Sequence, residues 1–231
     1  MILERYAAAW RGARELTFER SLTVALWVTG NGGGEYHVVL PQKEPATVRT
    51  GVPADYDFGF QLDMDTLRRL DQGELNALTA MGQARSSDPT PLTFKPSPEF
   101  SRLPDPATFL RRLSFHFWTR EWPEIVPFRD GATREVHGGN AAVFYYDKQF
   151  RSAWYQLKAG THINRDTTQQ ANDYPQLIVV TRGRLRGRFD GQERHVGEGE
   201  TVLIPPGMRS ELWTEAGEYA EFVWLGFGPG A

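Results

Sequence analysis

The sequence predicts an α+β protein in two parts, mixed helices and strands up to about residue 95 and an all-β barrel or sandwich from about residue 137. Three observations lead there. Apolar residues recur at helical spacing in two stretches before residue 82, with strand-like runs between them. From Ala141 onward the chain is a series of short strands punctuated by turn signals. Between the two parts, eight of the fifteen prolines fall within the thirty-nine residues from Pro89 to Pro127. A length of 231 residues suits two modest domains.

Ile2, Leu3, Tyr6, Ala9, Trp10 and Ala13 repeat every three to four positions, which predicts an amphipathic helix with one face to bury. Ser21 to Thr29 is rich in β-branched and apolar residues, and Tyr36 to Leu40 resumes that pattern after Gly30-Asn31-Gly32-Gly33-Gly34, a run tolerant of positive φ. These form a hairpin. Further strands are predicted over Ala46 to Thr50 and over Tyr56 to Leu62, the latter placing Tyr56, Phe58, Phe60 and Leu62 on one face. Asp63 reads as an N-cap, and Met64, Leu67, Leu70, Leu75, Leu78 and Met81 keep helical spacing across a break at Gly73 up to Gly82.

Residues 96–136 read as a connector with one helix. Asp105-Pro106 supplies an N-cap and a first-turn proline, and the helix runs to about Thr119. Phe109, Leu110, Leu113 and Phe117 give it an apolar face that docks against a domain and fixes the two parts relative to each other. In the last part, turns are marked by Asp147-Lys148, Ala159-Gly160, Arg182-Gly183, Asp190-Gly191, Gly197-Glu198-Gly199 and Glu215-Ala216-Gly217-Glu218, a spacing that argues for a barrel or sandwich.

Composition narrows the function classes. Hydrophobic residues make up 40% and charged residues 24%, the profile of a chain that buries a core. A net charge of -3 speaks against nucleic acid as a partner. The densest basic stretch, Arg182, Arg184, Arg186 and Arg188, has a period of two, so it reads as one solvated outer face of a strand. No apolar run is long enough for a membrane span, and the first fifteen residues lack the apolar run of a secretory signal. The absence of cysteine excludes disulfides and thiolate ligands, and it fits a cytoplasmic location. No phosphate-binding glycine loop and no serine in a nucleophile elbow is present.

Two resemblances then follow from particular residues. The stretch Leu62-Asp63-Met64-Asp65-Thr66-Leu67-Arg68-Arg69-Leu70-Asp71-Gln72-Gly73-Glu74-Leu75, followed by Ala80-Met81-Gly82 and Asp88, resembles a sterol carrier protein type 2 domain. That resemblance implies a sterol-carrier-like α/β sandwich over residues 1–95, with helices covering a curved sheet. Its apolar tunnel for a lipid would be lined by Leu67, Leu70, Leu75, Leu78 and Met81. The alternative is that these five fill a dry core.

In the last part, Gly160 is followed after five residues by Asp166, Thr167 and Thr168, and Gln176 stands seven positions before Gly183. Gly199 stands six before Pro205, and Pro205-Pro206-Gly207 is followed after two residues by Ser210. This resembles the two motifs of the cupin superfamily, which implies a double-stranded β-helix, the cupin barrel, over residues 137–231. The four positions at which metal cupins carry three histidines and a carboxylate hold Asp166, Thr168, Gln176 and Ser210 here. Hydroxyls and an amide are poor ligands for a transition metal, so neither a metal nor another cofactor is expected. His162 and Asn164 are alternative occupants of the His-x-His positions.

The resulting expectation is a non-catalytic small-molecule-binding protein. An apolar or lipid ligand occupies the N-terminal domain, and a small polar ligand meets His162, Asn164, Asp166, Thr168, Gln176, Ser210 and Tyr155 in a metal-free barrel. The cupin resemblance also implies a homodimer formed through the barrel. The alternatives are a metal-independent isomerase or lyase using His162, Asp166 or a tyrosine as acid or base, and an oligomerisation scaffold.

Overall fold

The computed structural model describes residues 1–10, 20–41, 45–83, 85, 87–98 and 100–231; Ala13 of the first predicted helix lies outside them. The chain divides into two compact units, residues 1–81 with 87–127 and residues 82–86 with 128–231.

In the first unit, α1 (Ile2–Ala9) buries Leu3, Tyr6, Ala7 and Ala9, the face its spacing predicts. The hairpin is β1 (Leu22–Thr29) with β2 (Gly34–Leu40), antiparallel, and β3 (Thr47–Thr50) extends it. β4 (Phe58–Asp63) lies parallel to β1 with Val24 opposite Phe58. Phe58, Phe60 and Leu62 point into the core at every second position, as the pleat requires.

Asp63 caps α2 (Met64–Gln72) by accepting the Thr66 N–H at 2.6 Å, and the left-handed Gly73 ends it. α3 (Ala77–Met81) follows. β5 (Thr93–Pro96), which the sequence reading does not include, pairs antiparallel with β4 and completes a five-stranded sheet of order β3-β2-β1-β4-β5. Pro96 at the end of this edge strand hides the element from propensity, because a proline within a run argues against a strand.

α4 (Pro106–Phe117) begins at Asp105, whose carboxylate accepts the Thr108 N–H at 3.1 Å. Leu113 and Phe117 pack into the core of the first unit with Phe58, Phe60 and Trp118. The helix assigned to a connector is thus part of a domain core. Its placement follows from apolar area: the phenyl ring of Phe117 stacks on that of Phe60 at 5.9 Å.

The second unit is a curled nine-stranded sheet. β6 (Arg134–Val136), β7 (Gly139–Asp147) and β8 (Phe150–Leu157) form a meander, and β9 (His162–Ile163) leads into a short turn of helix at Thr167–Gln169. Then come β10 (Gln176–Phe189), β11 (Gln192–Gly197), β12 (Thr201–Ile204), β13 (Ser210–Trp213) and β14 (Ala220–Phe227). The path runs β6-β7-β8-β14-β10-β13-β9, with β11 and β12 also on β10.

β10 serves two sheets. Its first half pairs with β12 and β14, and its second half with β11 and β13. The change falls at an irregularity between Val180 and Arg182 and at Gly183. Gly183 has φ +76, and a Cβ there would stand 2.0 Å from the Tyr219 carbonyl oxygen, so only glycine lets β14 cross this closely. Leu157, Ile178, Val180, Phe222, Leu185, Leu212, Ile163 and Val196 meet in the interior.

Candidate functional site

The inner face of the barrel is set by alternation along three neighbouring strands. β14 lies between β8 and β10, which aligns Arg151, Gly226 and Gln176 in one row, Ala153, Trp224 and Ile178 in the next, and Tyr155, Phe222 and Val180 in a third. Ile178, Val180 and Phe222 belong to the core, so all three rows face inward. Tyr146 of β7 pairs with Arg151 and extends the first row.

This first row is polar. The Arg151 guanidinium carbon lies 4.5 Å from the centre of the Tyr146 ring and 4.9 Å from that of Tyr174, a cation held against two aromatic rings. Its Nη1 donates to the Tyr174 hydroxyl at 3.0 Å, and its Nε is buried without a partner. Gln176 is 4% exposed; its Oε1 accepts the Trp224 indole N–H at 2.8 Å, and its Nε2 is buried without a partner. A Cβ on Gly226 would come within 2.7 Å of Tyr174 Cε2 and 3.2 Å of the Trp224 ring, so glycine here is what admits the Tyr174 ring over the strand.

Burial raises the hydroxyl pKa of Tyr155 above its ordinary range, with Tyr174 and Tyr146 adding to the shift. Burial likewise raises Tyr174, against the opposing pull of the Arg151 cation. Tyr155 nevertheless keeps accessible surface, as does Trp224, although both lie on the inner face. The Tyr155 ring stacks on Phe222 at 5.3 Å and 10° and adds an apolar surface to the inner face.

The structure does not gather the seven residues expected at the site. Tyr155 and Gln176 stand in the rows just described. Ser210, 2% exposed, alternates with the core residue Leu212 on β13, and its backbone N–H donates to the Gln170 carbonyl at 2.8 Å. Asn164 has φ +57, and its carbonyl accepts from Gln170 Nε2 at 3.1 Å, which pins the segment leading to the helical turn.

Asp166 caps that turn, accepting from Thr168 N at 3.0 Å and Oγ1 at 2.8 Å, and pairs with Arg85 at 2.5 Å. These Thr168 bonds, and then Arg85, hold its carboxyl below the usual range. Thr168 itself is exposed. His162 is opposite Trp213 in the β9–β13 register, on the face away from Ile163 and Leu212. Its ring stacks on Trp213 at 5.8 Å and 9°, and its Nδ1 lies 3.2 Å from Glu211 Oε1. In the first unit, Leu67, Leu70 and Leu75 are buried in the core, Met81 packs against it, and Leu78 is half-buried.

The residues that sequence reasoning missed are Arg151, Tyr146, Tyr174, Trp224 and Gly226. One signal was available: in Phe150–Leu157, Arg151 shares the alternate positions of Ala153, Tyr155 and Leu157, so a charge sits on an apolar face.

An open groove of about 650 Å³ also runs past Arg165, Arg188, Asp190, Arg209 and Glu211. Arg188 there is paired with Glu211 at 3.1 Å and Glu193 at 2.7 Å, so its charge is already answered. Among the described residues no group of three or more histidine, aspartate or glutamate side chains is placed to hold a metal ion. The set Asp166, Thr168, Gln176 and Ser210 does not fit one: Asp166 is tied to Thr168 and Arg85, and Gln176 turns its oxygen to Trp224.

The family model described as the AraC-like ligand binding domain matches residues 154–231. No curated protein matches the chain. Among solved structures, a cupin 2 conserved barrel domain protein of Salinispora arenicola is 18% identical, with 46% of this chain aligned to 88% of that one and a TM-score of 0.40. A protein of Photorhabdus luminescens is 14% identical, with 45% and 87% covered and a TM-score of 0.40. The C-terminal part of the chain is thus similar, over residues 154–231, to AraC-like ligand binding domains.

Proposed function

We propose that this chain is a small-molecule-binding protein whose C-terminal barrel takes its ligand into the interior, against the row formed by Tyr146, Arg151, Gly226 and Gln176. One observation carries the reading: two N–H donors, Arg151 Nε and Gln176 Nε2, are buried on the inner face with no partner. Buried donors are ordinarily satisfied, and two left open in one row support a ligand that meets both. The match of residues 154–231 to a ligand-binding family supports the same reading.

Support for an apolar ligand in the first unit comes from the resemblance of residues 36–88 to sterol carrier proteins, and Leu67, Leu70 and Leu75 must be displaced to admit one. A homodimer through the barrel follows from the cupin resemblance, and a cytoplasmic place from composition. Among the described residues no helix is long and apolar enough to cross a membrane.

Native mass spectrometry of the freshly purified chain tests the central claim. The expected result is a stoichiometric organic adduct that is lost in Tyr155→Trp, where the larger ring fills the space beside Phe222, while circular dichroism stays unchanged. An adduct that survives this substitution overturns interior binding. So does a bare mass combined with no thermal shift across small acids, sugars and amides.

A further inference from the structure

We infer that the ligand of the barrel is an anion of the carboxylate type carrying an apolar body, gripped by Arg151, Gln176 and Tyr174. This inference rests on the proposed interior site and names the chemical class that the site takes.

The argument is a count of donors and acceptors. Trp224 has only a donor, so its bond at 2.8 Å assigns Oε1 of Gln176 to the indole and turns Nε2 toward the interior. Arg151 has no acceptor at all, and its Nη1 takes a lone pair of the Tyr174 hydroxyl at 3.0 Å. The Tyr174 O–H proton is thereby left to donate elsewhere. These bonds leave three donors open, Arg151 Nε, Gln176 Nε2 and Tyr174 O–H.

Charge points the same way. Arg151 forms no ion pair with any described residue, unlike Arg186 and Arg188 on the outer face, each of which has two carboxylates. Two aromatic rings lie against the guanidinium, and its Nε, on the edge from which arginine grips a carboxylate through parallel hydrogen bonds, is buried with its hydrogen bond unmade. An anionic ligand supplies both the missing acceptor and a counter-charge.

Spacing fits as well. Arg151 and Gln176 stand on strands separated only by β14, so their Cα atoms are about 9.6 Å apart, and the residue between them is Gly226. Two side chains of that reach can close on one carboxylate beside the Tyr174 ring, which itself lies over the glycine. The next row, Ala153, Trp224 and Ile178, begins ~7 Å along the strands and is apolar. A short hydrocarbon or aromatic body attached to the carboxylate reaches it.

Isothermal titration of the full chain with hexanoate and with its uncharged analogue hexanamide tests the inference. Hexanoate is expected to bind at least about tenfold more tightly than hexanamide, and Arg151→Met to remove that preference. Gln176→Leu is expected to weaken hexanoate by about tenfold. Arg151→Met loses its ring contacts and the Tyr174 hydrogen bond, so its ligand-free melting temperature should fall only slightly, while hexanoate should no longer raise it; an undiminished rise with hexanoate would overturn the inference.

Equal binding of acid and amide would overturn the anion class while leaving interior binding in place. Hexanoate binding that ignores both substitutions would put the anion elsewhere on the molecule. Absence of binding by either probe would sink the carboxylate site, and the adduct seen by native mass spectrometry would then decide interior binding separately.

Discussion

The indole N–H of Trp224 donates to Oε1 of Gln176 at 2.8 Å, and this bond decides which end of the amide faces the barrel interior. Trp224→Phe keeps an aromatic ring but removes the donor and part of the ring volume. A loss of about 1 kcal/mol in urea unfolding is expected. The amide also becomes free to turn, so discrimination between hexanoate and hexanamide should shrink in the same variant. An unaltered discrimination would show that Gln176 is oriented by something else.

Gly226→Ala drives a methyl group to within 2.7 Å of the Tyr174 ring. The ring has to move, and its hydroxyl leaves Arg151 Nη1. Overpacking of this kind costs about 1–3 kcal/mol. A lowered melting temperature together with weakened hexanoate binding is the expected pair of results, and the double variant Gly226→Ala/Tyr174→Ala should recover stability but not binding.

Tyr6, Tyr155 and Tyr174 all have hydroxyl pKa values raised above the ordinary value near 10, burial being the main cause in each. A raised folded value means that the stabilisation is complete below the unfolded pKa and is lost as pH rises through the folded one. The protein should therefore weaken progressively above about pH 10. Ultraviolet titration of phenolate should show these three of the eight tyrosines ionising late, and together with unfolding.

At the start of α2, the Thr66 backbone N–H and then its hydroxyl hold the Asp63 carboxyl below its usual range. For a depressed value the stabilisation is present above the unfolded pKa and disappears as pH falls through the folded one. Asp63→Ala should cost about 1 kcal/mol at neutral pH and flatten the acid limb of the stability profile, whereas Asp63→Asn should retain most of the cap. Chemical denaturation between neutral and acid pH measures both.

His162 stacks on Trp213 outside the barrel. His162→Ala is accordingly expected to leave hexanoate affinity unchanged and to alter stability by no more than about 1 kcal/mol. A loss of binding in this variant would relocate the site to the outer face of β13.

What was legible in the sequence was the part written in local chemistry. Asp63 and Asp105 cap the helices that their flanking patterns announce, Gly73 ends one of them, and the glycine run after Thr29 closes a hairpin. The motif glycines and prolines around Gly183 and Pro205 pointed to the barrel, because turns and close strand crossings need particular residues at particular positions. β5 escaped because four residues ending in proline carry little local signal.

The residues of the proposed site were only half visible in the sequence. Gln176 and Tyr155 were reached, one through a motif position and the other through its place in the pattern. Arg151, Tyr174 and Gly226 come together only through the register of β8, β14 and β10, which joins residues some seventy positions apart in the chain. His162 and Asp166 drew notice for their chemistry alone, and strand parity and a turn-capping role took them elsewhere.

The passage of β10 from one sheet into the other makes Gln176–Phe189 the seam of the whole barrel. One continuous strand carries the ladders of both sheets, so the two should open as one cooperative unit. Amide protons along this strand are therefore expected to be the slowest in the second unit to exchange with solvent. A ligand gripping Gln176 at one end of the seam would slow exchange as far away as Phe189.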